Sequence, residues 1–392
     1  MSVKSLLLAS AAGVMAVSSA QAADLPVAPE PIDYVRVCDA FGAGFYYIPG
    51  TDTCISVRGR VRAEYRYFDA DPITHSRDED STQFRARGYI YMDSRTNTEF
   101  GLLRAYNEFR VTADSPGSTS MSLERAFVQF GGFTFGKTQS FYDFLEYTTF
   151  AFAWYPSVDD TKTPVAAYTF AFGNGVSSTV SIESSDVRRT DIGGYAPGYG
   201  GTKYPDLVAN VRIDQGWGTA QVMGALHQVW PGYDAIGTTP DSELGWVAGA
   251  GVNFKLPFGS GASVNFQGSY SQGAVNYVSA QPTSPTGDVY DAYLDASGDL
   301  DLSTAWSLSG GFEFDLTKTV GINVMAGYLD YQNDAWADGD FKNYDLQGNL
   351  TWSPVSGLLM GVEVDYRYVD SSSPLYDDGS VWAGDFRVQR TF

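Results

Sequence analysis

The chain has 392 residues, a formal net charge of −21, 44% hydrophobic residues, 15% aromatic residues and 42 glycines. Beyond its first residues it has no apolar run near the roughly 18 residues that a membrane-spanning helix needs, which excludes a helical membrane protein. A chain rich in aromatic residues and glycine without such a helix is either a large soluble β protein or a membrane β-barrel, and the acidic charge is compatible with both.

The N-terminus has the pattern of a secretory signal peptide over residues 1–22. Lys4 supplies the positive charge, residues 6–17 are apolar, and Ala20-Gln21-Ala22 is a small-x-small cleavage site. We expect cleavage after Ala22, so that the first 22 residues take no part in the fold.

Cys38 and Cys54 are the two cysteines, and both lie in the part of the chain that is predicted to be exported. Thiols in exported proteins are oxidised, and a disulfide closing this short Gly-rich loop stabilises by about 3 kcal/mol in the chain-entropy model. Two free thiols or a metal pair are the alternatives, but no histidine or third cysteine lies nearby to complete a metal site. We therefore predict a disulfide between Cys38 and Cys54.

After Cys54 the chain repeats segments of alternating polarity. In the first of them, residues 55–68, arginines and Glu64 occupy the even positions while the odd positions are apolar or small. This period of two indicates a β-strand. Short connections such as Gly131-Gly132 and Asn174-Gly175 alternate with long polar loops, and sixteen strands are predicted when residues 275–301 form one long loop rather than holding a further strand.

The last segment of the chain is an amphipathic strand. It alternates apolar and polar residues: Trp382, Phe386, Val388 and Phe392 against Asp385, Arg387 and Gln389. An amphipathic strand with a terminal Phe is typical of a bacterial outer-membrane barrel, with one lipid-facing and one lumen-facing row. The predicted fold class is all-β, a transmembrane antiparallel barrel of sixteen strands, and a barrel of that size has a water-filled lumen.

The first four predicted strands concentrate arginine on one face. An Arg on the lipid face at mid-bilayer costs about 2–4 kcal/mol, so we expect all of them to face the lumen as a positive wall. Pairing with Glu64, Asp93 or Glu108, which would only make the wall rigid, is the alternative role. The arginines that we predict at the pore constriction are Arg58, Arg60, Arg62, Arg85, Arg87, Arg104 and Arg125.

Residues 140–163, the predicted third outer loop, are expected to fold into the barrel. A loop of more than 20 residues in a compact architecture is usually functional. Its aromatic residues would be unusual in water: Phe141, Tyr142, Phe144, Tyr147, Phe150, Phe152, Trp154 and Tyr155. Four carboxylates, Asp143, Glu146, Asp159 and Asp160, would then face the arginines, and rings of charge at a constriction set ion selectivity. A lid over the mouth of the barrel is the alternative.

The outward rows of the first four strands carry small residues, which let surfaces approach closely in a membrane. We predict a subunit contact there. Its residues are Gly59, Ala63, Ala86, Gly88, Ala105 and Ala126.

Five segments resemble the alphaproteobacterial general porin family. They are 23–31 (ADLPVAPEP), 34–39 (YVRVCD), 44–54 (GFYYIPGTDTC), 124–130 (ERAFVQF) and 133–140 (FTFGKTQS). The resemblance implies a trimeric sixteen-stranded channel in the outer membrane of a Gram-negative bacterium, in contact with lipid and lipopolysaccharide. Residues 1–22 are then the signal peptide, 23–53 a periplasmic segment with the disulfide loop, and 54–392 the barrel, with 140–163 as its constriction loop.

We expect a passive diffusion channel for small hydrophilic solutes and ions, with weak charge selectivity that leans to cations because acids are in excess. A substrate-specific channel for sugars or carboxylates and a purely structural barrel are alternatives. A barrel lipase would need a Ser–His pair at the outer edge, and the two histidines, His75 and His227, lie respectively in a polar outer loop and on a lumen-facing row. We expect no enzymatic activity, cofactor, metal or nucleic-acid partner.

Overall fold

The computed structural model describes residues 36–69, 80–233, 239–258, 260–285, 287–373 and 377–392. The predicted signal peptide, the first part of the 23–53 segment and His75 lie outside the described residues. Parts of three of the long polar loops, residues 70–79, 234–238 and 374–376, do so as well.

Sixteen long strands form one antiparallel sheet in the described part of the chain. They are β1 (Cys54–Asp69), β2 (Thr82–Thr98), β3 (Gly101–Ser115), β4 (Thr119–Phe130), β5 (Phe133–Gln139), β6 (Lys162–Gly173), β7 (Val176–Glu183), β8 (Asp206–Gln215), β9 (Gly218–Val229), β10 (Glu243–Lys255), β11 (Ser260–Gln272), β12 (Thr304–Asp315), β13 (Val320–Gln332), β14 (Phe341–Val355), β15 (Leu358–Ser371) and β16 (Gly379–Thr391). Each strand pairs with the next in sequence.

The sheet closes on itself because β16 pairs with β1. Arg60 lies opposite Thr391 and Asp69 lies opposite Trp382 in this antiparallel ladder. A closed sheet leaves no strand edge unpaired, which is the condition for strands to cross a bilayer. The predicted sixteen-stranded transmembrane barrel is therefore confirmed.

The barrel has its apolar surface outside and its polar side chains inside. On neighbouring strands the outward side chains of Phe266, Leu308 and Val324 are exposed, whereas the inward side chains of Gln267 and Ser309 are buried. This arrangement is the one expected for strands between lipid and an aqueous lumen. Among the described residues, no helix is long and apolar enough to cross a membrane.

The long loop between β11 and β12 contains a small hairpin that lies outside the barrel sheet. Its strands are Ala292–Leu294 and Leu300–Leu302, and the first pairs in parallel with Ile192–Gly193 of another outer loop. The prediction that this region adds no strand to the barrel is confirmed. In the described part of the chain, the connecting segments also contain short 3-10 helices: Asp39–Phe41, Asp186–Arg188, Val275–Tyr277 and Asp334–Gly339, the last of which is kinked at Trp336.

A β-bulge interrupts the alternation in β4. Glu108 of β3 pairs with Arg125, but the next residue, Phe109, pairs with Leu123, so that Glu124 is an extra residue. A bulge of this kind re-aims a side chain. As a result, Glu124 and Arg125 line the same lumen cavity although they are adjacent in sequence.

The predicted disulfide between Cys38 and Cys54 is confirmed, and it ties the segment before the barrel to the start of β1. Both cysteines are buried with Phe45 in a small cluster. The guanidinium of Arg95 at the end of β2 lies 4.8 Å from the centre of the Phe45 ring. The disulfide loop is therefore packed against the end of the barrel at which β1 begins and β2 ends.

Candidate pore constriction

The loop between β5 and β6, residues 140–161, lies against the inner wall of the barrel. We call it loop three. The hydroxyl of Tyr142 donates to Ser269 Oγ at 3.0 Å, and the backbone N–H of Leu145 donates to Gln267 Oε1 at 3.0 Å. Further along the loop, Thr149 Oγ1 lies 2.7 Å from Gln347 Oε1. These contacts follow β11 and then β14, so the loop runs along one side of the lumen.

The tip of loop three reaches the seam where the barrel closes. The backbone N–H of Phe150 donates to Glu363 of β15 at 2.5 Å, and the Phe150 ring lies under the guanidinium of Arg387 at 3.9 Å. Phe152 lies 5.5 Å from the guanidinium of Arg66. The aromatic residues of the loop therefore pack against polar and cationic side chains of the wall as well as in apolar clusters.

Part of loop three contributes to the largest buried apolar cluster among the described residues. Tyr142 packs there with Met223 and Val247 of the barrel wall and with Tyr277 of the loop after β11. A single sheet has no second layer to cover its inner face, so the inward loops supply this core. The burial of Tyr142 gives loop three a fixed position rather than a free one.

A cavity of 480 Å³ separates the tip of loop three from the arginines of β1 and β2. Five of the predicted constriction residues line it on the barrel side: Arg60, Arg62, Arg85, Arg87 and Arg125. Tyr147, Phe150, Phe152, Tyr155 and Asp160 line it from loop three. The structure therefore brings these arginines and one predicted carboxylate, Asp160, around a common space.

Two further cavities contain the remaining predicted arginines. Arg104 lines a cavity of 680 Å³ together with Arg125, Glu146 and Asp160. Arg58 lines a separate cavity of 450 Å³ with Asp93 and Arg104, closer to the disulfide loop. The structure does not bring Arg58 to loop three, because Arg58 Nε donates to Ser56 at 3.1 Å and Nη2 donates to the Ala43 carbonyl at 3.3 Å.

Several wall arginines have carboxylate partners on neighbouring strands. Arg85 binds Asp114 through two hydrogen bonds of 2.6 and 2.7 Å. Arg104 binds Asp93 at 2.9 Å, and Arg125 binds Glu108 at 2.9 Å. These pairs fit the alternative role of wall arginines, in which the charge is compensated and the side chain is held rigid.

Other wall arginines share one carboxylate or have none within the described residues. Glu64 is 3% exposed and accepts hydrogen bonds from Arg66 at 3.1 Å and from Arg387 Nε at 2.7 Å, while Arg62 lies 3.6 Å away. Arg60 stacks over the Tyr89 ring at 3.9 Å. Arg87 donates to the Thr112 hydroxyl at 3.0 Å.

The predicted carboxylates of loop three fall into two groups. Glu146 and Asp160 line lumen cavities, and Asp160 accepts a hydrogen bond from Gln139 at 2.8 Å. Asp143 also lines the 680 Å³ cavity with Arg104 and Arg125, but the Asp143 and Asp159 side chains are both bound to other groups. The Asp143 side chain is 5% exposed and pairs with Arg188 at 2.5 Å, whereas Asp159 is 1% exposed and accepts from Gln267 at 2.5 Å.

Asp143 and Asp159 are close enough to influence each other. Burial would raise the pKa of Asp143, but the Arg188 guanidinium and hydrogen bonds, including one from the Thr161 backbone, hold that pKa below its ordinary value. Burial and the neighbouring Asp143 carboxylate raise the pKa of Asp159 well above its ordinary value. The two pKa shifts have opposite directions, so Asp159 holds a proton more tightly than Asp143, which is paired with Arg188.

A buried polar network on the β8–β9 wall holds the outer loops next to loop three. His227 Nδ1 lies 2.9 Å from Asp206, and the hydroxyl of Tyr277 donates to the same Asp206 at 2.7 Å. Tyr199 donates to Asp291 at 2.9 Å. His227 is completely buried in this network, which gives it a structural role.

Sequence reasoning did not place several charged residues at the constriction, among them Arg387, Lys162, Glu124 and Arg188. Arg387 and Lys162 line the 480 Å³ cavity, and Glu124 does so because of the bulge. Arg387 could have been found, since it lies on the polar row of the last strand and the last strand of a closed barrel adjoins the first. Arg188 could not, because it lies in an outer loop without periodicity.

The small residues of the predicted subunit contact lie on the outside of β1–β4. Ala63 and Ala86 are exposed, and Gly88, Ala105 and Ala126 are partly exposed. Gly59 is buried, because the ring of Phe392 covers it: a Cβ at this position would lie 2.4 Å from a carbon of that ring. Five of the six residues are thus accessible to a neighbouring molecule.

A closed barrel with an apolar exterior, a polar interior and a loop packed inside it defines an outer-membrane channel protein. The sequence comparisons then give its family. Residues 24–385 match the porin subfamily, and the chain belongs to this family. It is 30% identical to porin Omp2b of Brucella suis biovar 1 and to porin Omp2b of Brucella melitensis biotype 1, in each case over 100% of both chains.

Solved structures share the fold at low sequence identity. The outer membrane channel DcaP of Acinetobacter baumannii superposes with a TM-score of 0.67 at 16% identity, over 88% of this chain and 99% of that one. OmpF of Salmonella typhi superposes with a TM-score of 0.58 at 11% identity, over 87% and 98%. The predicted membership of the alphaproteobacterial general porins is confirmed, and the protein is an outer-membrane porin of a Gram-negative bacterium, a channel rather than an enzyme.

Proposed function

We propose that this porin is a passive diffusion channel for small hydrophilic solutes and ions, and that its constriction lies between the arginine wall and loop three. The observation that carries the proposal is the 480 Å³ cavity with Arg60 and Arg87 on one side and Asp160 on the other. Low-dielectric walls focus the field in such a gap. Polar solutes that align with this field pass more readily than apolar solutes of equal size.

The charge selectivity of this constriction among small monovalent ions is weak. Arg85, Arg104 and Arg125 are each compensated by a carboxylate of the wall. Glu146 and Asp160 supply negative charge on the loop-three side of the lumen. Charges of both signs face the same path, so neither K⁺ nor Cl⁻ meets a uniform barrier.

The channel assembles as a homotrimer through the outer face of β1–β4, with membrane lipid and lipopolysaccharide around the rest of the barrel. The small exposed side chains of Ala63 and Ala86 support this assembly, because small residues allow close approach of two surfaces in a membrane. Larger apolar side chains, such as Leu308 and Trp352, are exposed on other parts of the barrel, and Phe84 and Ile90 are exposed beside the small residues of β2.

Reconstitution into planar bilayers tests the proposed function. Step increases in KCl conductance are expected, with a reversal potential near zero in a tenfold salt gradient. Liposomes that contain the protein should swell in small sugars but not in large ones. Absence of conductance from correctly folded protein would contradict an open channel, and swelling with only one sugar would favour the substrate-specific alternative.

A further inference from the structure

Five arginines of three adjacent strands gather around Glu64 on the lumen wall. They are Arg60, Arg62 and Arg66 of β1, Arg87 of β2 and Arg387 of β16, and we call them the arginine cluster. All five line the 480 Å³ cavity opposite loop three. Arg62 and Arg87 lie directly opposite each other in the β1–β2 ladder. Like charges at such a position destabilise a sheet, so folding alone does not explain the arrangement.

The carboxylates near the cluster are too few to compensate it. Within the described residues, the ion pairs of the cluster involve only Glu64 and Asp385. Asp385 lies 3.3 Å from Arg387, which also binds Glu64. Arg60 and Arg87 take part in no ion pair there, in contrast to Arg85 and Arg125, which each have a carboxylate partner. The cluster therefore has an excess of positive charge.

The cluster also has N–H donors that the protein does not use. The Nε atoms of Arg60 and Arg66 are buried and have no hydrogen-bond acceptor among the described residues. Arg66 as a whole is 4% exposed. A buried donor without an acceptor carries a desolvation cost, which is larger when the group is charged. An acceptor from outside the chain would remove that cost.

Loop three does not supply the missing acceptors. Its tip presents the rings of Phe150 and Phe152 to Arg387 and Arg66. Two of its carboxylates, Asp143 and Asp159, are buried against Arg188 and Gln267 instead. Of the four loop carboxylates, only Asp160 lines the cavity of the cluster.

We infer that the arginine cluster binds small organic anions with two or more carboxylate groups and passes them through the constriction. A guanidinium binds a carboxylate through two parallel hydrogen bonds, a bidentate geometry that a lysine ammonium cannot provide. Side chains that lie opposite each other on paired strands are about 5 Å apart. Side chains at positions i and i+2 of one strand are about 7 Å apart. Neighbouring arginines of the cluster can therefore bind two carboxylates of one molecule. A monocarboxylate engages one arginine at a time.

The inference rests on the proposed function, because it requires that permeating solutes pass the cluster. The anion binds several arginines one after another, and its binding at each of them is weak enough to permit release. Conduction through a channel requires such weak binding at several positions. The expected preference depends on the number of carboxylates in the solute and on the distance between them. It is therefore compatible with weak selectivity between K⁺ and Cl⁻.

The test is a titration of the purified full-length protein in planar bilayers with citrate, acetate and the dication of putrescine. Citrate should reduce the KCl conductance, with a half-effect concentration at least tenfold below that of acetate, and putrescine should have no such effect. Raising the KCl concentration should weaken the citrate effect through screening. Conducting channels that respond to citrate and acetate at equal concentrations would overturn the inference while leaving the proposed function intact.

The double variant Arg60→Gln/Arg87→Gln should raise the half-effect concentration of citrate at least tenfold. Lys203→Gln/Arg390→Gln is the matched control, because it removes the same charge from residues that do not line the cavity, and it should stay within twofold of the parent. Arg60→Lys/Arg87→Lys keeps the positive charge but removes the bidentate hydrogen bonding, and it should raise the half-effect concentration of citrate at least threefold. An unchanged citrate response in both cluster variants would overturn the inference.

Isothermal titration calorimetry measures citrate binding to the arginine cluster independently of channel conductance. If the protein folds but does not conduct, the proposed function fails, and citrate binding to detergent-solubilised protein still tests the cluster. Saturable heat that is lost in the Arg60→Gln/Arg87→Gln variant would support the site. No saturable heat would overturn it.

Discussion

The guanidinium of Arg188 lies 2.5 Å from Oδ1 of Asp143, and the arginine side chain is completely closed to solvent. Arg188 also donates to the Asn276 carbonyl at 3.1 Å and stacks on Tyr277 at 4.2 Å. One side chain thus joins loop three to the loops after β7 and β11. The position of loop three depends on contacts outside the strand that precedes it.

Replacing Arg188 by Met should release loop three. Removing one partner of a buried ion pair leaves an uncompensated charge and costs about 3–5 kcal/mol. We expect faster hydrogen exchange in residues 140–161 and larger fluctuations of the open-channel current. Arg390→Met removes an arginine outside the lumen cavities and should change neither. Exchange in Arg188→Met at the parent rate would show that the hydrophobic contacts hold the loop without the ion pair.

The attachment of loop three should weaken as the pH rises. The pKa of Asp159 is raised by burial and by Asp143, so the folded state holds this proton more tightly than the unfolded chain does. Its contribution to stability is complete below the ordinary value of 3.8 and is lost as the pH rises through the raised pKa. The contribution of Asp143 to stability depends on pH in the opposite direction. Its pKa is lowered in the folded state, so this contribution is lost as the pH falls.

Asp159→Asn should remove the alkaline part of this dependence, because the amide keeps the neutral form at every pH. Current fluctuations recorded from acid to alkaline pH should increase in the parent and stay level in the variant. Asp295→Asn, in the exposed tip of the outer hairpin, is the control. A parallel increase in parent and Asp159→Asn would assign the pH effect to another group.

Shortening loop three should widen the channel. Deletion of residues 146–155 removes the side chains that face Arg60 and Arg87 across the 480 Å³ cavity. We expect a larger single-channel conductance and passage of larger uncharged sugars in liposome swelling. Removing residues 295–299 from the outer hairpin shortens another loop and should leave both unchanged. If the first deletion changes neither quantity, loop three is not the constriction.

Large residues on the outer face of β2 or β3 should weaken a trimer. Ala86→Trp and Ala105→Trp place a bulky ring among the small side chains of the proposed contact. Native electrophoresis should show monomers at a detergent concentration at which the parent remains trimeric. Leu308→Trp, on the exposed face of β12, is the matched control. Intact trimers in both alanine variants would place the contact elsewhere.

The barrel could be predicted from local patterns, because alternation of polarity fixes the face of each residue once a strand is assigned. That rule placed Arg60, Arg62 and Arg87 in the lumen. The alternation of polarity does not predict the bulge at Glu124, because the bulge depends on how β4 pairs with β3. It also does not predict the contacts of Asp143 and Asp159, whose partners Arg188 and Gln267 are 45 and 108 residues away. Loop packing is a property of the assembled barrel and not of the loop sequence.

Loop three is attached to the side of the lumen formed by β7–β15, so the open path is displaced toward β1–β6. The two halves of the interior are therefore exposed to different selective pressures. Inward residues of the covered half, such as Gln267 and Gln347, are constrained by the shape of the loop that they hold. Inward residues of the open half, such as Arg60 and Arg87, line the cavity through which we propose that solutes pass. Natural variants should adapt their permeability by drift in the open half, while the covered half changes only together with loop three.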